Sequence, residues 1–329
     1  MKRLQMRSIA NETYRDHPLI GAALVVIAML ATPVWAQTAA DTASAATAFN
    51  PATEFAAGHG ALSFDYSNPF FHGDYEGQAG KDSGQVRFQT FDLEGSYFVA
   101  DGWELRLGLP FSSGKYSGRF PHPQLGCPPC GPTYVDNGDY HGTWQDWNAG
   151  VSYHTVIGDN YYLTPSVDLY VPSHNYPYYG SAVVGQRAPK LGIGATLQRQ
   201  FDFSNFYFSG HFQYFVMPKT LGINADYADF GLDLGYFINP RLGIRATTDI
   251  KVGNGHDDAL INANCPPCSS ELWAFHDKFR LQDHANIGGA VDYAFNDRYL
   301  LSTTLTRAIW GLGNAILVYD IDIKLTRSF

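Results

Sequence analysis

From Ala315 to Phe329 the chain alternates Leu317, Tyr319, Ile321, Ile323 and Leu325 with Val318, Asp320, Asp322, Lys324 and Thr326. A side-chain period of two puts the first set on one face of a strand and the second on the other, one face suited to lipid and one to water. Between residues 90 and 98, Phe91, Leu93 and Tyr97 oppose Asp92, Glu94 and Ser96; between 103 and 111, Trp103, Leu105, Leu107, Leu109 and Phe111 oppose Glu104 and Arg106. The same pattern predicts further strands near residues 60–66, 146–156, 161–171, 190–201, 206–216, 227–237, 242–252, 284–295 and 299–309, twelve in all.

The connections sort into two kinds. Tight ones fall at Asp101-Gly102, Gly158-Asp159-Asn160, 202–205, Asn239-Pro240-Arg241 and Asn296-Asp297, and long ones at 67–85, 112–143, 172–188, 217–226 and 253–282. Short periplasmic turns alternating with longer external loops are the pattern of an outer-membrane barrel. A soluble sandwich has no reason to sort its loops in this way. The predicted fold is therefore all-β, a transmembrane antiparallel up-and-down β-barrel of about 12 strands, with both ends of the chain on the periplasmic side.

The chain ends support this reading. Lys2, Arg3, Arg7 and Arg15 precede an apolar stretch from Leu19 to Leu30, and Val34-Trp35-Ala36 offers small-residue cleavage before Gln37. Residues 1–36 are expected to be a secretory signal peptide, too short to span a bilayer. No later segment approaches 18 uninterrupted apolar residues, so a membrane-resident chain must cross as a closed barrel. Residues 37–56 are rich in Ala and Thr and are expected to be a disordered periplasmic leader, leaving 57–329 as the barrel. The final strand, ending on Phe329, resembles the C-terminal strand of bacterial outer-membrane barrels, a likeness that implies reading by the barrel assembly machinery.

Composition narrows the class further. Charged residues make up 16% of the chain and aromatics 15%, with 21 Tyr and 33 Gly, as expected for many short strands with aromatic girdles. Residues 1–36 hold four of the 22 basic and two of the 31 acidic residues, so the remainder carries 18 and 29, a net charge of −11. Nucleic acid is excluded as a partner by that charge. Lipid, the assembly machinery and a small-molecule solute are the partners expected.

Register assigns the water-facing side chains. Asp92, Glu94, Glu104, Arg106, Asp146, Asn148, His154, Asp168, Lys190, Gln198, His211, Asp229, Asp233, Arg245, Asp249, Lys251, His284, Asp292, Asp320, Asp322 and Lys324 fall on the polar face and are expected to line the lumen. Such a set implies a hydrated interior, although individual charges can equally serve as ion pairs bracing a narrow barrel.

Two Cys-Pro-Pro-Cys motifs, Cys127 to Cys130 and Cys265 to Cys268, lie in the second and fifth long loops. In a twelve-strand barrel those loops sit six strands apart, across the mouth from each other. An extended Pro-Pro pair rises about 3.1 Å per residue, which holds the two cysteines of one motif about 9 Å apart and favours disulfides between loops. Prolines at a helix start would instead bring the two sulfurs of one motif together. A four-thiolate metal site with His256 and His276 is a further alternative, but exported cysteines usually end as disulfides. Residues 269–280 have the signature of a short helix, which would act as a lid.

No Gly-x-Ser-x-Gly, phosphate loop, haem-attachment or metalloprotease motif is present, so no cofactor and no enzymatic activity are expected; a lipid-modifying barrel or a structural or adhesion barrel are the alternatives. The segments Trp103-Glu-Leu-Arg-Leu-Gly-Leu-Pro-Phe111, Asp146-Trp-Asn-Ala-Gly-Val-Ser-Tyr153 and Leu163-Thr-Pro-Ser-Val-Asp-Leu-Tyr-Val-Pro172 resemble the outer-membrane family named for the meta-pathway of phenol degradation. That resemblance implies a transporter-like barrel for uptake of aromatic or other hydrophobic compounds. The chain departs from it at Pro172-Ser173-His174, where the family tends to continue Pro-Thr-Gly.

Overall fold

The computed structural model describes residues 55–74, 84–118, 135–158, 160–178, 180–201, 204–254, 278, 282–312 and 315–329. The four cysteines, the expected signal peptide and most of the expected helical lid lie outside them.

Among the described residues there are fifteen strands: β1 (Gly60–Ser67), β2 (Phe70–Asp74), β3 (Gln85–Ala100), β4 (Trp103–Ser117), β5 (His141–Trp144), β6 (Asp146–Tyr153), β7 (Thr155–Ile157), β8 (Tyr161–Pro172), β9 (Lys190–Gln200), β10 (Phe206–Val216), β11 (Tyr227–Asn239), β12 (Leu242–Gly253), β13 (Asp283–Asn296), β14 (Tyr299–Leu312) and β15 (Ala315–Ser328). β1 and β2 form one stave, and β5, β6 and β7 another, which gives twelve. Each stave pairs antiparallel with its sequence neighbours, and β1 pairs with both β3 and β15, closing the barrel. No helix among the described residues is long and apolar enough to cross a membrane.

The breaks within staves have local causes. Pro69 separates β1 from β2, since proline cannot donate to a ladder, yet its carbonyl still accepts from Phe88 N at 3.1 Å, and Asn68 N reaches Ile321 O at 2.9 Å. Pro110 in β4 likewise faces the gap between β5 and β6, where Gln145 N donates to its carbonyl at 2.9 Å. The last residue completes closure: Phe329 N donates to Gly60 O at 2.9 Å, and Gly60 N donates to Phe329 O at 3.0 Å.

Outward residues form the apolar belt that a barrel presents to lipid: Leu62, Leu93, Leu105, Leu107, Val167, Leu169, Ile193, Leu234 and Leu305 are all exposed. Aromatic pairs bound the belt beside the short turns, Trp103 with Tyr153 at 4.9 Å and Phe206 with Tyr236 at 4.8 Å between ring centroids. Glycine on the inner face makes room for neighbours. A Cβ at Gly235 would sit 2.1 Å from the Tyr207 ring, which lies across that position and stacks on Phe237 at 4.8 Å.

The strands overrun the expected boundaries at the external end. β2 occupies part of the expected 67–85 loop, and β4 and β5 occupy both ends of the expected 112–143 loop, because barrel staves tilt and continue past the bilayer. The top of β15 also needs correction. Its register shifts between Ala315, Leu317 and Tyr319, so Val318 becomes the outward residue at 40% exposure while buried Leu317 lines the interior. A bulge adds one residue to the count and reverses the faces above it. Below that point Ile321, Ile323 and Leu325 face outward as the period demands.

Candidate functional site: the barrel interior

The interior holds a cavity of about 1280 Å³. Of the residues that the sequence assigns to the lumen, Asp92, Glu94, Glu104, Arg106, Asp146, Asn148, Asp168, Lys190, Lys251, His284 and Lys324 line it. The others lie off it, and several are tied into polar clusters on neighbouring staves.

One belt shows how the pattern builds the wall. Arg106 on β4, Gly150 on β6 and Asp168 on β8 are cross-strand neighbours in register. Because Gly150 has no side chain, Arg106 Nη2 reaches over it to donate to Asp168 Oδ1 at 2.7 Å; a Cβ there would lie 2.0 Å from that oxygen. Gln213 Nε2 on β10 donates to the other carboxylate oxygen at 2.7 Å, crossing β9 beside Gly192, where a Cβ would lie 2.6 Å from Gln213 Nε2. Long polar side chains alternating with glycine thus stitch five adjacent strands together.

A second belt centres on Arg245 of β12. Its guanidinium donates to Asp292 at 2.8 and 3.2 Å, to Asp233 at 3.1 Å and to Ser302 Oγ at 2.9 Å, joining β11 through β14. His284 Nε2 lies 3.0 Å from Asp249 Oδ1, which also accepts from Asn286 at 3.2 Å. On the neighbouring staves Lys324 of β15 pairs with Glu94 of β3 over the intervening β1. Asp92 accepts from Leu109 N at 3.1 Å, and Asp320 accepts from Asn68 N at 3.1 Å. Exposed His211 lies against Gly231, where a Cβ would meet its ring at 2.0 Å.

At the short-turn end His154 Nε2 is 2.9 Å from Glu104 Oε2, and its Nδ1 is 3.2 Å from Thr164 Oγ1. The Phe55 ring stacks on His154 at 4.6 Å and approaches Phe98 at 5.9 Å and Tyr162 at 6.5 Å. Gly102 N donates to Phe55 O at 2.8 Å, so Phe55, which the sequence assigned to the leader, packs at this end of the barrel.

The segment from Ser173 to Pro189 lies inside the long-loop mouth of the barrel, a location that no pattern in the sequence signals. Buried Tyr176 donates its hydroxyl to Asp146 Oδ1 at 2.5 Å and accepts from Arg187 N at 2.8 Å, while Arg187 Nη1 donates to Tyr176 O at 2.8 Å. Burial, and then the bond to Asp146, push the Tyr176 phenol well above its usual range, so it keeps its proton and remains a donor. Buried Asp136, before β5, accepts from Ser181 N and Ala182 N at 2.8 Å each. Lys278 donates to Arg187 O at 3.4 Å and lies 4.4 Å over the Tyr178 ring. Val183, Val184 and Gly185 of this segment line the cavity and narrow it.

Sequence reasoning also missed the aromatic residues inside. Tyr170, Phe215 and Tyr227 share the inner face with Asp168, Gln213 and Asp229, two residues from each. Counting aromatics as lipid-facing hid them; the register of their polar neighbours carries the signal.

No family model and no curated protein matches this chain. Among solved structures, an outer-membrane channel from Pseudomonas putida F1 aligns over 88% of this chain and 100% of its own length, at 13% identity and a TM-score of 0.62. It shares the outer-membrane barrel fold. The β domain of a Bordetella autotransporter (10% identity, 82% and 99% covered, TM-score 0.46) and the NanC porin (11%, 81% and 98%, 0.41) align more loosely.

Proposed function

We propose that this chain is an outer-membrane channel through which small solutes, hydrophobic or aromatic ones among them, pass passively. The observation that carries the reading is the cavity of about 1280 Å³ inside a closed barrel, walled by charged and hydrogen-bonding side chains and narrowed by the segment from Ser173 to Pro189. A polar interior behind a lipid-facing belt is what a water-filled passage requires. The likeness in fold to the Pseudomonas putida channel supports the reading, as does the resemblance of the segments 103–111, 146–153 and 163–172 to the phenol meta-pathway family. The lipid belt and Phe329, which zips the last strand to the first, fit insertion by the barrel assembly machinery. In planar bilayers the refolded protein gives discrete conductance steps; current indistinguishable from bare lipid would mean a filled barrel and would remove the proposal.

The cysteines belong to the same reading as a restriction of the mouth. On this reading they are oxidised, with Cys127 or Cys130 bonded to Cys265 or Cys268, since the strand pairs that flank the two motifs lie six staves apart and cysteines of an outer-membrane barrel meet an oxidising compartment. A preformed barrel has already lost most of the chain entropy that such a bridge would remove, so the bond acts locally, holding the loops together. Non-reducing peptide mapping recovers cross-loop peptides, and reductant raises conductance. Bonds confined within each motif, or four free thiols, would refute the bridge.

A further inference from the structure

Three of the basic side chains inside the barrel have carboxylate partners: Arg106 with Asp168, Arg245 with Asp233 and Asp292, and Lys324 with Glu94. Lys190 and Lys251 differ. Both line the cavity, yet among the described residues neither ammonium lies within 4.0 Å of a carboxylate oxygen. They rest instead on aromatic rings. Lys190 Nζ is 5.0 Å from the centroid of Tyr170, 5.8 Å from Phe215 and 6.0 Å from Tyr227. Lys251 Nζ is 4.3 Å from Tyr227 and donates to Gln282 Oε1 at 3.3 Å. The rings form a row across three strands, Phe215 stacked on Tyr227 at 4.5 Å and Tyr170 tilted against Phe215 at 5.7 Å.

Taking an ammonium group out of water is costly unless an opposite charge accompanies it, and ring faces return only part of that cost. Two such groups facing one ring repel each other as well. The charges around them set how much negative charge a solute can bring. Asp229 is the cross-strand partner of Lys251, Asp146 faces the same space, and Asp249 and Asp283 also lie near Lys251; Asp146 is held by Tyr176, Asp249 by His284 and Asn286, and Asp283 accepts from Gly253 N. Those carboxylates discourage a dianion and leave room for at most one further negative charge.

We infer that Lys190 and Lys251 form a subsite for the carboxylate of a small aromatic acid, whose ring seats against Tyr170 and Tyr227. The subsite rests on the channel reading for its biological meaning, since it lies on the path between mouth and periplasm, but binding itself does not require conduction. A carboxylate between the two ammonium groups supplies the missing counter-charge, and the row of rings offers an offset stacking surface. This explains why two cations without carboxylate partners sit beside a row of inward-facing aromatic rings.

The test is calorimetric titration of the detergent-solubilised barrel with benzoate, benzyl alcohol and cyclohexanecarboxylate. Benzoate binds more tightly than either of the others, and Lys190→Met and Lys251→Met each weaken it by about tenfold or more, the loss expected for a charge-assisted contact. Neither substitution strands a paired carboxylate, and retention of the compact band in unheated gels verifies folding. Tyr227→Leu removes the preference for benzoate over cyclohexanecarboxylate while leaving binding of the latter. Absence of benzoate binding to the wild-type barrel, or unchanged affinity in the Lys190→Met/Lys251→Met double variant, would overturn the subsite. Neither result touches the channel reading, which bilayer conductance decides separately.

Discussion

On the proposed channel reading, replacing Tyr176 with Phe shifts the barrel toward a more open state by about 10- to 100-fold in population. The ring is retained, so packing in the mouth is preserved, but the hydroxyl that donates to Asp146 and accepts from Arg187 N is lost. A carboxylate and a backbone N–H are then left without their partner on the inner wall. A hydrogen bond to a charged group contributes about 1.5 to 3 kcal/mol, and each 1.4 kcal/mol is about a factor of ten in an equilibrium. The Ser173 to Pro189 segment is held in the mouth by that bond, by Asp136 and by Lys278, so the other tethers persist and the barrel still folds. Single-channel recordings check this directly: longer dwell at the higher conductance is expected, and traces matching wild type in open probability would show that the segment does not limit current.

Replacing Arg245 with Met destabilises the barrel by about 2 to 4 kcal/mol, the cost of breaking a largely buried charge cluster by removing one partner. Arg245 ties Asp233, Asp292 and Ser302; Asp292 keeps the Ser302 hydroxyl as a donor, but the side chains of the two acids are 26% and 18% exposed, so neither charge is well solvated when the cation leaves. The loss appears as a lower denaturant concentration at which the compact, heat-resistant gel band disappears. Removing both carboxylates as well, in Arg245→Met/Asp233→Leu/Asp292→Leu, recovers most of it. A single variant as stable as wild type would mean that the lumen solvates these acids and that the cluster serves ion selectivity alone.

The architecture was legible because a lipid-facing barrel imposes its constraint on every second residue of every strand. Alternation such as Leu105 and Leu107 against Glu104 and Arg106 repeats twelve times, and no single deviation can hide it. The same rule put Arg106 and Asp168, or Arg245 and Asp292, on the inner face. It could not say that Arg106 reaches Asp168 across the intervening β6, because that contact depends on Gly150 occupying the position between them in register.

Period-two reading failed where its assumptions failed. At the top of β15 a bulge reversed the faces, turning Val318 outward and Leu317 inward. Tyr170, Phe215 and Tyr227 escaped notice because hydrophobicity alone cannot separate an aromatic that meets lipid from one that meets a lysine in the lumen. The sequence by itself determined the strands, their number, the two faces and the two classes of connection, since each follows from local periodicity and turn chemistry. Only the tertiary structure decided which charges pair, that the Ser173 to Pro189 segment turns into the mouth, and that Lys190 and Lys251 meet one ring. Those outcomes depend on closure of the barrel, which brings together residues separated by tens to hundreds of positions and leaves no trace in the spacing along the chain.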